Sequence, residues 1–506
     1  MSDIDPILLK SSETRIWTIE GGANPGAAAV YQGRGRVTTA SWAGGAVKPI
    51  RGPSPRRYGD YITVAKIRGM QDLPTVNIEL REERDVRDML TLFQKRCVVD
   101  LQIHAGNCQD PTDFLAYDRI TIYEGAVLEN FGVGDQGAFD GDQEVAVVDT
   151  IPFVADSMYD VKPIRESAIA AAAIVQEVVG VSICDGVSCG SCGAPSDGAS
   201  VVFAVTKSHG GSPGLPGEVI FTDDGGQTTG STIVHSLPAN KDASDLICSG
   251  LNLVVVSAED LALHYAPIAD ILGASETWTR IATGFVAAKT PAKAFSRSRT
   301  FNWFAAAGGY VYFSADITAG VVVQTDGSIT TQDLADISAC TDVHVLAVGA
   351  SNAVIYTTDG QNWSAVTGPN VGVALTACWM LTPNIWIVGD ATGALWYTKN
   401  SGSQWTQITT FTAQGTGAIA AIAFATPSVG YMTQTISGKG YMNRTLDGGS
   451  TWARVPDGGN LATFTVNDKM TRLAVATSAP DNVKANVVWA GGLAGDGLDG
   501  VLFKIA

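Results

Sequence analysis

A short motif recurs at nearly constant intervals in the C-terminal part of this sequence. Its clearest copy, residues 445–452, reads Thr-Leu-Asp-Gly-Gly-Ser-Thr-Trp, and related copies occupy 398–405 and 357–363. The copies begin 41 and 47 residues apart. Self-similarity at this period is typical of repeat architectures, and the interval matches one four-stranded blade of a β-propeller. The repeat therefore predicts a propeller.

The motif matches the Asp-box, a hairpin turn of the form Ser/Thr-x-Asp-x-Gly-x-x-Trp. Its carboxylate accepts hydrogen bonds from turn N–H groups, and its Trp packs beneath the turn. A fourth copy at 222–229 keeps the turn and loses the Trp. The residues predicted to fill this structural role are Asp224, Gly226, Asp359, Gly360, Trp363, Asn400, Gly402, Trp405, Asp447, Gly449 and Trp452.

Each copy follows the second of two short apolar segments, and this pair of predicted strands recurs seven times. The pairs are 201–205 with 219–221, 253–256 with 261–265, 303–307 with 310–313, 343–348 with 354–356, 385–388 with 395–397, 429–432 with 441–443, and 487–489 with 500–503. Alternating apolar segments bounded by turn residues are typical of strands. Seven pairs predict seven blades, with six or eight left open.

On these motifs, residues 195–506 resemble the sialidase-like propellers with Asp-boxes, including the photosystem-assembly and exosialidase-related repeats. The resemblance implies the fold and says little about function, because Asp-boxes in such enzymes lie at blade turns away from the active centre.

Composition supports a mainly β chain that carries no nucleic-acid or membrane surface. Of 506 residues 45% are hydrophobic, 16% are charged and 56 are glycine, which suits short strands and tight turns. The net charge of −17 repels nucleic acid and anionic membranes. We expect no signal peptide and no membrane insertion, because the most apolar run, 168–183, is shorter than a spanning helix. That run is interpreted as part of a linker over 166–194.

We expect no known combination of catalytic residues in this sequence. A sialidase needs converging arginines, a Tyr/Glu nucleophile pair and an acidic proton donor. The propeller offers Arg280, Arg297, Arg299, Arg444, Arg454 and Arg472, of which Arg280 and Arg454 are predicted on outer strands. There is no P-loop, nucleophile elbow or His-Glu-x-x-His motif. The sequence thus predicts a non-enzyme without cofactor or metal. For Cys184, Cys189 and Cys192, a zinc site with His209, a local or inter-subunit disulfide, and free thiols are left open.

The N-terminal part predicts a β-sandwich or open barrel with one flanking helix. Strands are expected at 61–68, 75–81, 97–104, 119–128 and 144–154, and the apolar face of Val86, Met89, Leu90 and Phe93 predicts a helix over 83–96. Residues 21–58 are rich in Gly and Pro and are interpreted as a long arm with little regular structure, which orders against a partner.

This element order over 1–165 resembles that of the major tail tube proteins of tailed bacteriophages. The segments that carry the resemblance are 61–64, 87–93, 98–104 and the long pair of strands after Tyr117. The resemblance implies a virion protein, assembled in the host cytoplasm, whose hexameric rings stack into a tail tube and contact other tail proteins. Genomic DNA would pass through without specific binding, and the propeller would decorate the surface or bind a host glycan or protein. A baseplate or capsid role stays open.

Two choices remain open from the sequence. The residues considered for the subunit interface are Arg51, Arg56, Arg57, Arg68, Glu82 and Glu83, with a solvated charged loop as the alternative. The alternative function is a binding protein that is non-viral or belongs to another virion part and uses the propeller to recognise protein or glycan.

Overall fold

The computed structural model describes two parts of the chain. In the first, it describes the strands and their immediate neighbours at 15–20, 30–31, 36–41, 49–53, 61–66, 75–80, 99–105, 119–128, 149–155 and 157–161. In the second, it describes 166–169, 176–184, 201–208, 217–222, 229–238, 241–296, 300–409, 417–455, 469–475, 488–494 and 499–505. The chain divides into two compact units between Lys162 and Pro163.

Ten strands of the N-terminal unit lie within the described residues. They are β1 (Arg15–Glu20), β2 (Val30–Tyr31), β3 (Arg36–Ser41), β4 (Pro49–Pro53), β5 (Tyr61–Lys66), β6 (Thr75–Leu80), β7 (Val99–Ala105), β8 (Arg119–Leu128), β9 (Asp149–Val154) and β10 (Ser157–Val161). Eight form one antiparallel sheet in the order β2-β1-β7-β8-β9-β6-β3, with β10 pairing β8. The other two, β4 and β5, pair only with each other within the described part of the chain.

Three of these strands correct the predicted arm. The segment 21–58 contains β2, β3 and β4, and β3 pairs β6. The prediction of little regular structure was wrong because it relied on the high Gly and Pro content of the segment. It overlooked short stretches with strand-forming residues, such as Arg-Val-Thr-Thr-Ala-Ser at 36–41. The five strands expected between 61 and 154 coincide with β5 to β9. The predicted helix over 83–96 lies outside the described residues, so the sandwich or barrel with one flanking helix stays a prediction.

The second unit is a seven-bladed β-propeller, as the repeat predicts. It begins with β11 (Glu166–Ile169). Blade 1 contains β12 (Val178–Cys184), β13 (Val201–Thr206), β14 (Glu218–Thr222) and β15 (Gly230–Ile233). Blade 2 contains β16 (Asp245–Ser249), β17 (Asn252–Ser257), β18 (Ala262–Pro267) and β19 (Thr279–Ile281). Blade 3 contains β20 (Pro291–Ser296), β21 (Asn302–Ala306), β22 (Tyr310–Ser314) and β23 (Val322–Asp326). A short helix, α1 (Ile268–Leu272), joins β18 to β19.

Blades 4 to 7 follow the same plan. Blade 4 contains β24 (Leu334–Ala339), β25 (Val345–Gly349), β26 (Ala353–Thr357) and β27 (Trp363–Thr367), and blade 5 contains β28 (Leu375–Met380), β29 (Trp386–Asp390), β30 (Leu395–Thr398) and β31 (Thr406–Ile408). Blade 6 contains β32 (Ile419–Phe424), β33 (Gly430–Ile436), β34 (Lys439–Thr445) and β35 (Ala453–Arg454). The C-terminal strands of blade 7 are β36 (Lys469–Val475), β37 (Val488–Leu493) and β38 (Gly500–Ile505). Single 3₁₀ turns occupy Ala307–Gly309, Ile317–Ala319 and Ala350–Asn352. The seven predicted apolar pairs are the second and third strands of the seven blades, which confirms them.

The last blade takes its outer strand from the other end of the unit. Blade 7 has the order β36-β37-β38-β11, and Glu166 to Ile169 of β11 pair antiparallel with Ile505 to Leu502 of β38. This corrects the predicted linker over 166–194 and the start of the propeller at 195, because β11 and β12 both lie in that segment. The three C-terminal strands leave blade 7 one strand short, and β11 supplies the strand that closes the ring.

The core lies between adjacent blades. At the seam between blades 7 and 1, Trp489 is 1% exposed and packs with Val178 and Val202. Between blades 3 and 4, Trp303 packs with Val345 and Trp363. Each interface joins residues of neighbouring blades, so no blade can bury its apolar faces alone. Within the described residues, no helix has the length and apolar character needed to cross a bilayer.

Closure by β11 predicts a difference between two fragments of the propeller. A fragment of 163–506 should unfold cooperatively, whereas one of 170–506 lacks β11 and leaves β38 as an open edge. Each lost backbone hydrogen bond contributes about 0.5–1.5 kcal/mol, so we expect the melting temperature to fall by roughly 5–10 °C. Thermal unfolding followed by circular dichroism measures this, and equal melting temperatures would show that β11 does not close the ring.

Candidate functional site

The three C-terminal copies of the sequence motif form turns between the third and fourth strands of blades 4, 5 and 6. In each turn a glycine follows the Asp or Asn with a positive φ: +75° at Gly360, +82° at Gly402 and +94° at Gly449. A side chain at these positions would strain the left-handed backbone, which explains the glycine of the motif. In each turn the last residue of the third strand, a threonine, accepts the glycine N–H at 2.8–3.0 Å.

In the turns of blades 6 and 4 the aspartate accepts hydrogen bonds from nearby residues of the turn, but it is buried in blade 6 and exposed in blade 4. Asp447 is 5% exposed and accepts from Thr445 Oγ1 (2.8 Å) and Thr451 N (2.8 Å), and burial raises its pKa. Asp359 is exposed and accepts from Asn362 Nδ2 (2.6 Å) and Asn362 N (2.7 Å). The hydrogen bonds from the Asn362 side chain and backbone hold the pKa of Asp359 well below its usual range.

The tryptophans that end the motifs join turns to the blade cores. Trp363 stacks edge-on against Trp303 of blade 3, with ring centroids 6.0 Å apart. Trp405 Nε1 donates to Thr367 O of blade 4 at 2.9 Å, and Trp452 lies edge-on to Phe424 at 5.9 Å. These contacts are structural, and they lie at the end of the blades where the third strand meets the fourth.

Other predicted site residues cannot be placed in the same way. Asp224 and Gly226 of the fourth copy, and Arg56, Arg57, Arg68, Glu82 and Glu83 of the predicted interface, lie outside the described residues. Arg51 lies in β4, of which only the backbone is described.

The arginines are distributed as the sequence analysis expects. Arg280 and Arg454 lie in β19 and β35, the outer strands of blades 2 and 6, which confirms their placement. Arg444 is buried and hydrogen-bonds Tyr431. Arg472 lines the central channel. Arg297 and Arg299 lie outside the described residues, and the four described arginines do not converge on one point.

The structure brings together a Ser–His–Asp set that the sequence analysis missed. Ser236 Oγ lies 2.9 Å from His264 Nδ1, and His264 Nε2 lies 3.1 Å from Asp260 Oδ2. Arg280 Nε donates to the same oxygen of Asp260 at 2.5 Å. His264 has no exposed surface, and burial lowers its pKa to about 4. A substrate has no access to this imidazole, so the set ties the connection after β15 to β18 and β19.

The central channel is lined by the first strands of all seven blades, β12, β16, β20, β24, β28, β32 and β36, and encloses about 150 Å³. Six of these strands carry a β-bulge near their start, and the residue after each bulge occupies an equivalent position. Asp245 starts β16 at the matching position. We call these residues the channel ring: Gly180, Asp245, Lys293, Asp336, Ala377, Ala421 and Arg472.

The ring carries two carboxylates and two cations. Asp245 Oδ2 accepts Ala294 N of the next blade at 3.1 Å, and Asp336 Oδ2 accepts Cys378 N of the next blade at 2.8 Å. This shared contact confirms that the two positions are equivalent. Lys293 Nζ lies 3.4 Å from Asp245 Oδ2. Burial, and then the charge of Arg472, lower the pKa of Lys293.

Asp336 is half-buried and lines the channel inside the propeller. Burial raises its pKa to about 6, against the opposing effect of Lys293. Arg472 Nε donates to Val179 O, and Nη1 donates to Thr471 O at 2.8 Å. The first of these bonds links blade 7 to blade 1.

Aromatic and cysteine side chains lie further along the same strands. Phe295 and Trp379, each two residues beyond a ring position, meet edge-on with centroids 5.8 Å apart. Cys184 of β12 forms a disulfide with Cys248 of β16, with Cα atoms 5.8 Å apart. This corrects the prediction for Cys184, which left open a zinc site with His209, a local or inter-subunit disulfide and a free thiol, and did not include Cys248 as a partner. Cys189 and Cys192 lie outside the described residues, within which no group of three acidic, His or Cys side chains is suited to a metal ion.

The channel ring was missed because its members are far apart in sequence and differ in type. A signal was nonetheless present. Lys293, Asp336, Ala377 and Ala421 each stand 12 residues before the second-strand residue with which they pair. Aligning the blades on that interval would have placed charged residues at one position of the repeat.

Truncation of the blade 6 turn should destabilise the protein more than truncation of the blade 4 turn. Asp447→Ala leaves buried turn amides unpaired and should cost about 1–3 kcal/mol, and Trp452→Ala should cost roughly 3–5 kcal/mol. Asp359→Ala should cost less, because water replaces the exposed carboxylate. Denaturant unfolding compares the three, and an Asp359→Ala cost equal to that of Asp447→Ala would contradict the assignment.

Asp336 should make stability depend on pH. Because its pKa is raised from 3.8 to about 6 on folding, its contribution to stability is fully present below about pH 3.8 and is lost as pH rises through 6. Asp336→Asn keeps an acceptor for Cys378 N and removes this loss. The melting temperature of the variant relative to the original protein should therefore be higher at pH 8 than at pH 4. A difference independent of pH would contradict the burial of this charge.

Comparison with known proteins finds solved structures of low sequence identity and no family. No protein-family model matches the sequence, and no curated protein matches it. Among solved structures, YCF48 from Cyanidioschyzon merolae is 14% identical, covers 67% of this chain and 98% of its own, and has a TM-score of 0.49. The RRP9 WD40 repeats are 8% identical, cover 67% and 97%, and have a TM-score of 0.47. Virginiamycin B lyase from Staphylococcus aureus is 11% identical, covers 68% and 98%, and has a TM-score of 0.46. The seven four-stranded blades of this chain themselves establish that it contains a β-propeller.

Proposed function

We propose that this chain is a non-enzymatic virion protein whose N-terminal unit assembles into a tail tube and whose propeller is displayed as a binding module. One observation carries the proposal. The propeller is completed by β11, so all seven blades are built from residues 166–505 without a strand of the N-terminal unit. A ring closed in this way leaves the other unit free for a separate task. We assign the propeller to binding from its chemistry below, because a fold by itself does not specify an activity.

The hairpin of β4 and β5 supports self-assembly. Within the described part of the chain it pairs with no other strand, and a lone two-stranded hairpin is marginally stable in water. A neighbouring subunit would supply the surface it needs, and Arg51, from the predicted interface, lies in this hairpin. The tube is also consistent with the net charge of −17, since an acidic lumen does not hold DNA.

The non-enzymatic assignment is supported by the channel chemistry. The channel carboxylates Asp245 and Asp336 are held by main-chain amides of the next blade. The described arginines are separated over outer strands, a blade interior and the channel, and a glycosidase requires them together. We therefore assign the propeller to binding. A binding protein without a tube, which is non-viral or belongs to another virion part, is the second candidate, supported by the same closure of the ring.

Oligomeric state distinguishes the two candidates. The full chain should form rings or filaments visible by negative-stain microscopy, whereas the 163–506 fragment should sediment as a monomer. Deleting 49–66 should leave a folded protein that no longer assembles, because the hairpin is the proposed contact. The 170–506 fragment, which lacks β11, shows how a destabilised propeller behaves in the same measurement. A full chain that stays monomeric at assembly concentrations would reject the tube.

Limited proteolysis of assembled particles tests whether the N-terminal unit forms the tube without a contribution from the propeller. Cleavage in the segment between β12 and β13 would cut blade 1. The site that releases an intact propeller lies before β11, at 162–165. Tubes that survive this cleavage support a displayed module, and tubes that collapse would show that the propeller is itself an assembly contact.

A further inference from the structure

Arg472 of the channel ring has hydrogen-bond donors that no group among the described residues accepts. Arg472 has five N–H donors, and its two contacts go to the main-chain oxygens of Val179 and Thr471. Its remaining N–H groups, including those on Nη2, have no partner among the described residues. The two channel carboxylates contact other groups: Asp245 accepts two main-chain N–H groups and lies near Lys293, and Asp336 accepts Cys378 N. Unused donors on a cation call for an anionic acceptor.

The surroundings of Arg472 suit a small organic anion. The side chain is half-buried and lines the 150 Å³ channel, and Lys293 is close enough to be affected by its charge. The neighbouring ring position on blade 6 is Ala421, a small side chain that also lines the channel. Trp379 offers an apolar wall further along the channel. A planar guanidinium beside an apolar wall is matched by a carboxylate with a short organic part.

We propose that the channel binds a carboxylate, which Arg472 holds with its free N–H groups while Ala421 and Trp379 accommodate the attached carbon atoms. This names the ligand chemistry of the binding module and rests on the proposed function of the propeller. The carboxylate comes either from a free small acid or from the C-terminus of a peptide. Both present the same two oxygens to the guanidinium.

The charged groups facing the site set the sign of its pH dependence. They are Asp245, Lys293, Asp336 and Arg472, together with the thiol of Cys378, whose pKa burial raises. Asp336 gains a proton as the pH falls through about 6. The channel then loses one negative charge and attracts an anion more strongly. Carboxylate affinity should therefore rise from pH 7.5 to pH 5.

The test is calorimetric titration of the full chain with N-acetylglycine, an acid that stays ionised at pH 5 because α-carboxyl groups titrate near 3.3–3.7. Arg472→Gln should weaken binding at least about tenfold, and Ala421→Leu should abolish it by filling the space. Asp336→Asn should tighten binding at pH 7.5 by roughly three- to tenfold and remove its pH dependence. Arg280→Gln, the same change on an outer strand, should have no effect.

Arg472 also joins blades 7 and 1, so its variant is checked by melting temperature. Asp336→Asn keeps the test decisive, because unfolding cannot increase affinity. An acetylated tetra-alanine with a free C-terminus, and its C-terminal amide, separate the two sources. Binding of the free-acid peptide assigns a peptide terminus, and binding of N-acetylglycine alone assigns a free acid.

Absence of binding by both probes at 10 mM, or an Arg472→Gln protein that binds as well as the original, would overturn the site. Ring formation in the same samples separates this outcome from failure of the tube. Intact rings without carboxylate binding reject the channel site alone, and binding by a monomeric chain rejects the tube alone.

Discussion

Four residue pairs between β11 and β38 complete the outer edge of the last blade of the propeller. Each blade buries its faces against two neighbours, so the first and last blades are stable only if the ring is closed. Trp489 lies at that seam with Val178 and Val202, and Arg472 crosses it to Val179. The channel and its charged ring exist only in the closed ring, because every wall of the channel comes from a different blade.

Local patterns predicted the repeating part of the fold well. The second and third strands of each blade are short apolar segments bounded by turn residues, so all seven pairs could be located by their composition. The turns at Asp359, Asn400 and Asp447 also depend on hydrogen bonds within a few residues. These contacts join residues that are close together in the sequence, so spacing and residue type were sufficient to find them.

Contacts between distant segments could not be predicted in this way. The alanine-rich segment before β12 has the composition of a linker. Residues 166–169 form the strand β11 because they pair with β38 at the C-terminal end of the propeller. Cys184 was grouped with the cysteines nearest in sequence, although its partner Cys248 is 64 residues away. Asp245, Lys293, Asp336 and Arg472 meet because seven blades place equivalent residues around one axis. No single window of sequence contains that information.

Hydrogen exchange of the intact protein tests the closed ring most directly. In the closed ring β38 has a strand on each side, β37 and β11, so its amides should exchange as slowly as those of β26, the third strand of blade 4. Peptides covering 500–505 can be compared with peptides covering 353–357 by mass spectrometry. Equal protection is the result that closure by β11 predicts. Fast exchange of 500–505, as at an open sheet edge, would contradict it.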